Sequence, residues 1–251
     1  MSGTIASERC YEFVQAKALL MDRRTRRVEA HPGVVTISRQ AGSGAHVVAQ
    51  HLVERLQARA SHPSVPWKVF DHDLVQRVIE EHDLPERMAK FMPDDRISAM
   101  SDTLDELFGL RPSSWSLVRQ TAETILHLAE LGDAVIIGRA GNLITRHIAG
   151  ALHIRLVGSL EKRIAHVEGY LGLDHLAASE YVRTQDLGRM RYVETYYSKD
   201  IDDPLLYDLM INTDRVSYGE AARIIAEAGA ARWETIPVGS ESGPVGRPVH
   251  V

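Results

Sequence analysis

A single cysteine, Cys10, in 251 residues narrows the chemistry open to this chain. One thiol excludes an intrachain disulfide and any multi-cysteine zinc site, and Cys10 has no partner that would mark it as reactive. Apolar runs of the ~18–20 residues that a membrane span requires are missing. The segment MSGTIASERCYEF has no basic stretch leading into an apolar one, so a cytoplasmic protein with no membrane partner is expected. An excess of positive charge is missing too. Lys+Arg number 29 against 34 Asp+Glu, for a net charge of −5, which argues against general nucleic-acid binding. The 12 histidines include no H-E-x-x-H or comparable spacing, so no protein metal ligand is assigned, and His46 and His72 are expected at the surface. There is no G-x-S-x-G turn, so a serine hydrolase triad has no support. What is present, 44% apolar and 25% charged residues, is the composition of a folded protein with a full core.

Five short runs rich in β-branched residues read as strands: residues 34–38 (VVTIS), 67–71 (WKVFD), 134–138 (AVIIG), 152–157 (LHIRLV) and 207–212 (YDLMIN). Their continuous apolar character fits strands covered on both faces. Helical patterns lie between them. Val48, Leu52 and Leu56 form one stripe. Leu160, Ile164, Val167 and Leu171 form another behind Ser159 as N-cap, and Ser217 with Glu220 has capping-box spacing. Strands alternating with helices predict an α/β fold with a parallel sheet and right-handed crossovers. Residues 1–31 read as an N-terminal helical extension ending in DRRTRR, a charged run that fits a solvated helix end or, less directly, a docking site. Residues 32–232 read as the main domain, with a mostly helical insertion over 84–131, and residues 233–251, rich in Gly, Pro and Ser, as a disordered tail.

Four segments carry charge or glycine where a parallel sheet presents its carboxyl edge. The first is Ser38-Arg39-Gln40-Ala41-Gly42-Ser43-Gly44-Ala45, between the first strand and the first helix. Glycines there let backbone N–H groups turn inward, and the helix N-terminus adds partial positive charge, which suits a phosphate. The pattern G-x-x-x-x-G-K-[ST] is only partly met, with Arg39 at the first glycine, Gly44 at the second, Ala45 at the lysine and His46 at the hydroxyl. A tight turn without a ligand would need the same glycines. Arg39 can supply the charge that the lysine would give, and Ser38 or Ser43 a magnesium contact. The second segment is Asp71 to Arg77. Asp71 either points into the ligand crevice or caps a helix, and Arg77 either binds an anion or is solvated. The third is Gly138-Arg139-Ala140-Gly141, an arginine between glycines just beyond a buried strand. The fourth is a helical run in which Arg183, Asp186, Arg189 and Arg191 cluster, with Asp186 and Arg189 spaced to pair.

Together, TISRQAGSGA (36–45), FDHDLVQRV (70–78), AVIIGRAGNLI (134–144) and the block from RTQDLGRMRY to DIDDPLLYDLMINTD (183–214) resemble the cytidylate kinase-like family, a branch of the P-loop nucleoside monophosphate kinases. The resemblance spans about residues 33–229. It implies a three-layer P-loop kinase fold with a central five-stranded parallel sheet, a helical insertion and a helical lid over about 174–204. It also implies ATP and Mg²⁺ as cofactors and nucleotides as substrates. By the same resemblance Ser38 to Ala45 bind ATP, and Asp71, Arg77, Arg139 and Asp186 bind the acceptor. Arg39, Arg139, Arg183, Arg189 and Arg191 act on the transferring group.

Cytidylate kinases carry lysine and a hydroxyl residue at Ala45 and His46, and an acid at Ile137. Many members of the cytidylate kinase-like branch share the lysine-free loop. The implied activity is ATP-dependent phosphoryl transfer to a nucleoside monophosphate, CMP or dCMP first. The alternatives are a noncatalytic nucleotide sensor and a kinase for another small acceptor.

Overall fold

A computed structural model describes residues 33–59, 66–71, 114–138 and 140–235. The N-terminal extension, Arg77, Arg139, the insertion before 114 and the tail from 236 lie outside the described residues. Strands β1 (Val34–Arg39), β2 (Lys68–Phe70), β3 (Ala134–Ile137), β4 (Ala151–Val157) and β5 (Leu209–Asn212) form one sheet in the order β2-β3-β1-β4-β5. Every pairing is parallel, with Val35 opposite Val135 on one side and Leu152 on the other. The helices are α1 (Ala45–Arg59), α2 (Ser114–Leu131), α3 (Gly141–Ile144), α4 (Leu160–Leu171), α5 (His175–Tyr197) and α6 (Tyr218–Thr235). This is the expected α/β architecture of three layers around five parallel strands. Among the described residues no helix is long and apolar enough to cross a membrane.

Strand alternation decides what each layer sees. Val35 and Ile37 of β1, Val135 and Ile137 of β3, and Leu152, Ile154 and Leu156 of β4 share one face and pack on α1 and α6. Val34, Ala134, Ile136 and Ala151 share the other and pack on Ile125, Leu128 and Ala129 of α2. Burying each large side chain contributes about 1.5–3 kcal/mol, which is why β1, whose Val34, Val35 and Ile37 are wholly buried, sits in the centre. Toward its carboxyl end the α2-side face turns polar, because Thr36 and Ser38 of β1 alternate onto it and pair with His153 and Arg155 of β4. That polarity marks where the sheet stops being core.

Helix α6 runs to Thr235, and Trp233 near its end donates its indole N–H to the Gly150 carbonyl at 2.8 Å and lies 5.3 Å from the Trp67 ring. The folded unit therefore extends past residue 232. Helix α4 ends at Gly172 in the left-handed conformation (φ 65°), and α5 starts behind Asp174, whose side chain accepts from the Ala177 N–H at 2.8 Å. Helix α5 is anchored at its two ends by separate clusters. Ala178 and Val182 pack with Ile164, Val167 and Ala41, while Tyr192 and Val193 pack with Val118, Ala140 and Ile201. Its polar middle is left over the sheet edge. The Ser159 position caps α4 by geometry alone: its side chain makes no capping bond, and its N–H donates to Asp214 at 2.9 Å. The expected α4 stripe is also narrower, since Leu160 and Leu171 are exposed while Arg163 is buried.

Below the polar stripe, Asp208 ties β4 to α6. It accepts from the His153 N–H at 2.7 Å and from Arg232 Nη2 at 2.6 Å. Burial alone would raise the Asp208 carboxyl, but Arg232 and the His153 N–H hold it below its ordinary value. Burial pushes the His153 imidazole down, against the pull of Asp208 and with help from Arg232. A folded state that keeps both groups deprotonated binds fewer protons than the unfolded chain. Its stability is therefore present at neutral pH and falls as pH drops below 6.5 for His153 and below 3.8 for Asp208. Thermal unfolding of His153→Gln against the wild type between pH 8 and 5 should show the variant losing less stability on acidification. Parallel curves would remove His153 from the account.

Candidate phosphate-transfer site

The loop between β1 and α1 is fixed from below and from both sides. Gln40 donates its N–H to the Leu156 carbonyl and accepts from the Gly158 N–H through Oε1, both at 3.0 Å. Gly42 and Gly44 both have φ of +79°. A Cβ at Gly42 would stand 2.3 Å from the Arg163 carbonyl oxygen, and one at Gly44 2.3 Å from the Tyr218 ring. Neither place admits another residue, in conformation or in space. The turn opens directly into α1, whose first N–H groups have no acceptor within the helix. Loop curvature and helix start together have the geometry expected of an anion site.

The two hydroxyls expected as magnesium contacts are committed elsewhere. Ser43 is buried and donates to the Gln40 carbonyl at 2.8 Å. Ser38 accepts from Arg155 at 2.8 Å and lies 3.3 Å from the Tyr207 hydroxyl, whose proton goes to the Ile201 carbonyl at 2.7 Å. Arg155, missed in the sequence because it sits inside an apolar strand, is buried and ion-paired to Asp202. Burial raises the Tyr207 phenol above its ordinary value, against the hydrogen bond to Ser38, so it remains a donor.

Asp71 follows β2 and reaches the loop. Its Oδ1 accepts from Arg39 Nη2 at 3.5 Å, and its Oδ2 is hydrogen-bonded to His46 Nε2. Arg39 also lies so close to Gly138 (φ +81°) that a Cβ there would overlap its guanidinium, 1.8 Å from Nη1.

From the other side α5 lowers Asp186 onto the loop. Asp186 Oδ1 accepts from the Ala41 N–H at 2.6 Å and from Arg189 at 3.3 Å, and Oδ2 accepts from Arg163 at 2.5 Å. Arg163 donates as well to the carbonyls of Ala41 and Gly158, both at 3.0 Å. This buried arginine was hidden in the sequence by its place on an amphipathic helix, where a charge reads as surface.

Two cavities result. One, of about 510 Å³, follows the loop from Arg39 to Val47 and is bordered by Asp71, His166 and Tyr181. The other, only about 30 Å³, lies on the polar side of the sheet edge among Ser38, Gly138, Asn142, Tyr192 and Tyr207. Arg39 and Arg189 line both. Asp71 lies on the loop side rather than in the small cavity. Arg183 and Arg191 are exposed and line neither. The expected cluster of cations is thus brought together at Arg39 and Arg189, while Arg77 and Arg139 lie outside the described residues.

The model of the cytidylate kinase-like family matches residues 34–215. The chain belongs to that family. The match runs from the first residue of β1 to just beyond β5, so it takes in both cavities. A crystal structure of an uncharacterized protein from Eubacterium ventriosum covers 79% of this chain and 99% of that one, with a TM-score of 0.58 at 18% identity. That likeness is one of fold. A shikimate kinase from Bacteroides thetaiotaomicron covers 78% of this chain and 97% of its own at 11% identity, with a TM-score of 0.43. A uronate isomerase from Corynebacterium glutamicum is 30% identical over 117 residues, 47% of this chain but 22% of that protein. The chain thus spans about a fifth of that relative's length.

Mg²⁺, the cation the family implies, is ordinarily held by one or two carboxylates together with substrate phosphates and water. Among the described residues Asp71 is the carboxylate lining the loop cavity that would offer it an oxygen, while Ser43 is buried against the Gln40 carbonyl. Among the described residues no group of three or more His, Cys, Asp or Glu could hold a metal ion alone.

The Arg163–Asp186 pair is largely buried on the arginine side and only 28% exposed on the carboxylate side. Arg163→Met should therefore cost about 1–3 kcal/mol and speed proteolysis within α5. In a double-mutant cycle with Asp186→Asn the two losses should be strongly non-additive. Simple additivity would show that the pair does not hold α5 down.

Proposed function

We propose that this chain is an ATP-dependent phosphotransferase that passes a phosphoryl group to a nucleoside monophosphate, with CMP or dCMP as first candidates from the family resemblance. One observation carries the reading: two cavities, one along a phosphate-type loop and one at the adjoining sheet edge, meet on the same pair of guanidiniums, Arg39 and Arg189. In this reading the ATP phosphates lie along the loop and the acceptor phosphate enters the smaller cavity.

The reaction asks little covalent chemistry of the protein. An acceptor phosphate oxygen attacks the γ-phosphorus, the bond to the β–γ bridging oxygen breaks, and ADP leaves. The acceptor is already an anionic nucleophile, so no general base is needed. The protein brings two polyanions together, spreads the charge of the transferring group over fixed donors and excludes water. Arg39 is pre-oriented by Asp71 from one side and by the space above Gly138 from the other. Arg189 arrives with α5 and is held beside Asp186. The smaller cavity has room for about one water, so an acceptor enters only as α5 lifts. The Asp186 contact to Ala41, where an anion already sits on a loop N–H, must then break or shift.

That same contact favours a second reading. With a carboxylate on the loop and no loop lysine, the site could bind nucleotide for sensing without turnover. ADP formation measured with a panel of nucleoside monophosphates separates the two. The catalytic reading expects turnover with at least one acceptor, and a loss of about 10²–10³ in kcat for Arg189→Ala or Arg39→Ala. Nucleotide binding by calorimetry without turnover on any acceptor would leave the sensor.

A further inference from the structure

The polar stripe of the sheet holds a buried cation that lines neither cavity. Arg155 of β4 stands directly opposite Ser38 of β1 in the parallel register. Its side chain is only 3% exposed, and its fork is held on three sides. Nη1 donates to Ser38 Oγ at 2.8 Å, Nη2 is bound by Asp202, and the guanidinium carbon lies 5.6 Å from the centre of the Tyr207 ring. Asp202 is 62% exposed, so water screens its offset of the buried charge. Ser38 and Tyr207 both line the smaller cavity.

The protons of this group can be followed one by one. A serine hydroxyl has one hydrogen to donate and lone pairs to accept with, whereas a guanidinium only donates. Arg155 therefore takes up a lone pair of Ser38 and leaves its hydrogen. The Tyr207 proton goes to the Ile201 carbonyl at 2.7 Å. Among the described residues the Ser38 hydrogen then has only the Tyr207 oxygen to meet, at 3.3 Å, which is long for an O–H···O bond. An anionic oxygen entering the smaller cavity is the better acceptor. The cation behind the hydroxyl also polarises it toward donating. Ser38 and Arg155 belong to β1 and β4, so they stay in place when α5 lifts.

We infer that Ser38 donates its hydroxyl to a phosphate oxygen of the acceptor, a phosphate monoester, and that Arg155 is the positioning residue that aims and polarises it from behind. The inference deepens the phosphotransferase reading and rests on it for the place of the acceptor. It moves Ser38 from the ATP side, whose cavity it does not line, to the acceptor side.

The test is steady-state kinetics of the full chain, varying ATP and the nucleoside monophosphate that turns over separately. Ser38→Ala removes one hydrogen bond to a charged group, so kcat/KM for the acceptor should fall roughly tenfold or more while the KM of ATP stays within about twofold. Arg155→Met should do the same and Arg155→Lys less. The double variant Ser38→Ala with Arg155→Met should lose no more than Arg155→Met alone, because the arginine acts through the hydroxyl. An unchanged kcat/KM for the acceptor in Ser38→Ala, a rise in the KM of ATP instead, or losses that multiply overturn the inference. Where Arg155→Met fails to fold, Ser38→Ala, Arg155→Lys and their double variant carry the comparison. Should no acceptor turn over, the catalytic reading falls, and calorimetry with CMP and with inorganic phosphate takes the place of kinetics. Weaker binding of either in Ser38→Ala, with the affinity for ADP unchanged, would still support the Ser38 site. Equal binding, or binding of neither by the wild type, would overturn it.

Discussion

One carboxylate holds the site in its present arrangement. Asp186 joins three parts of the molecule that the chain places far apart: the loop after β1 through the Ala41 N–H, helix α4 through Arg163, and its own helix through Arg189. The mostly polar middle of α5 has no apolar cluster to hold it over the sheet edge, and its two hydrophobic anchors lie nearer its ends. Without Asp186 that middle would lose its hydrogen bonds to the loop and to α4. With it, a loop built to receive anions receives one from the protein itself. The arrangement is self-consistent electrostatically, since Arg163 offsets the carboxylate's charge.

The fold was legible because its signals are local. Runs such as residues 34–38 and 134–138 are too apolar and too β-branched to be anything but covered strands, and each proved to be one, with bounds shifted by a residue or so. The loop was legible for the same reason, since its glycines adjoin a strand and a helix start. The site was legible only in part. Arg39, Asp186 and Arg189 stand beside recognisable neighbours and do converge. Arg155 and Arg163 were not seen, because nothing in a short apolar strand or an amphipathic helix announces that its arginine turns inward. Their reasons lie in distant residues, Ser38 and Asp202 for one, Ala41, Gly158 and Asp186 for the other. Arg183 and Arg191 show the opposite limit. Proximity in sequence to Arg189 suggested a shared role, but on a helix these positions point elsewhere, and both are exposed.

The net charge of −5 also takes on a different sense. Much of the acidic excess is placed to hold cations rather than to dilute them. Asp71, Asp186, Asp202 and Asp208 each grip an arginine. An acidic chain can present a strongly positive cleft when its carboxylates act as mounts for guanidiniums and the field is focused between low-dielectric walls.

The missing side chain at Gly138 has a consequence of its own. The space it leaves is filled by the flat end of Arg39, so β3's turn works as a slot cut to the thickness of a guanidinium. A lysine at position 39 would keep the charge but rattle in that slot, and any larger residue at 138 would push the arginine out of it. Residues 39 and 138, nearly a hundred positions apart, are therefore one structural unit. A side chain at 138 would displace that guanidinium and would itself be strained at φ +81°.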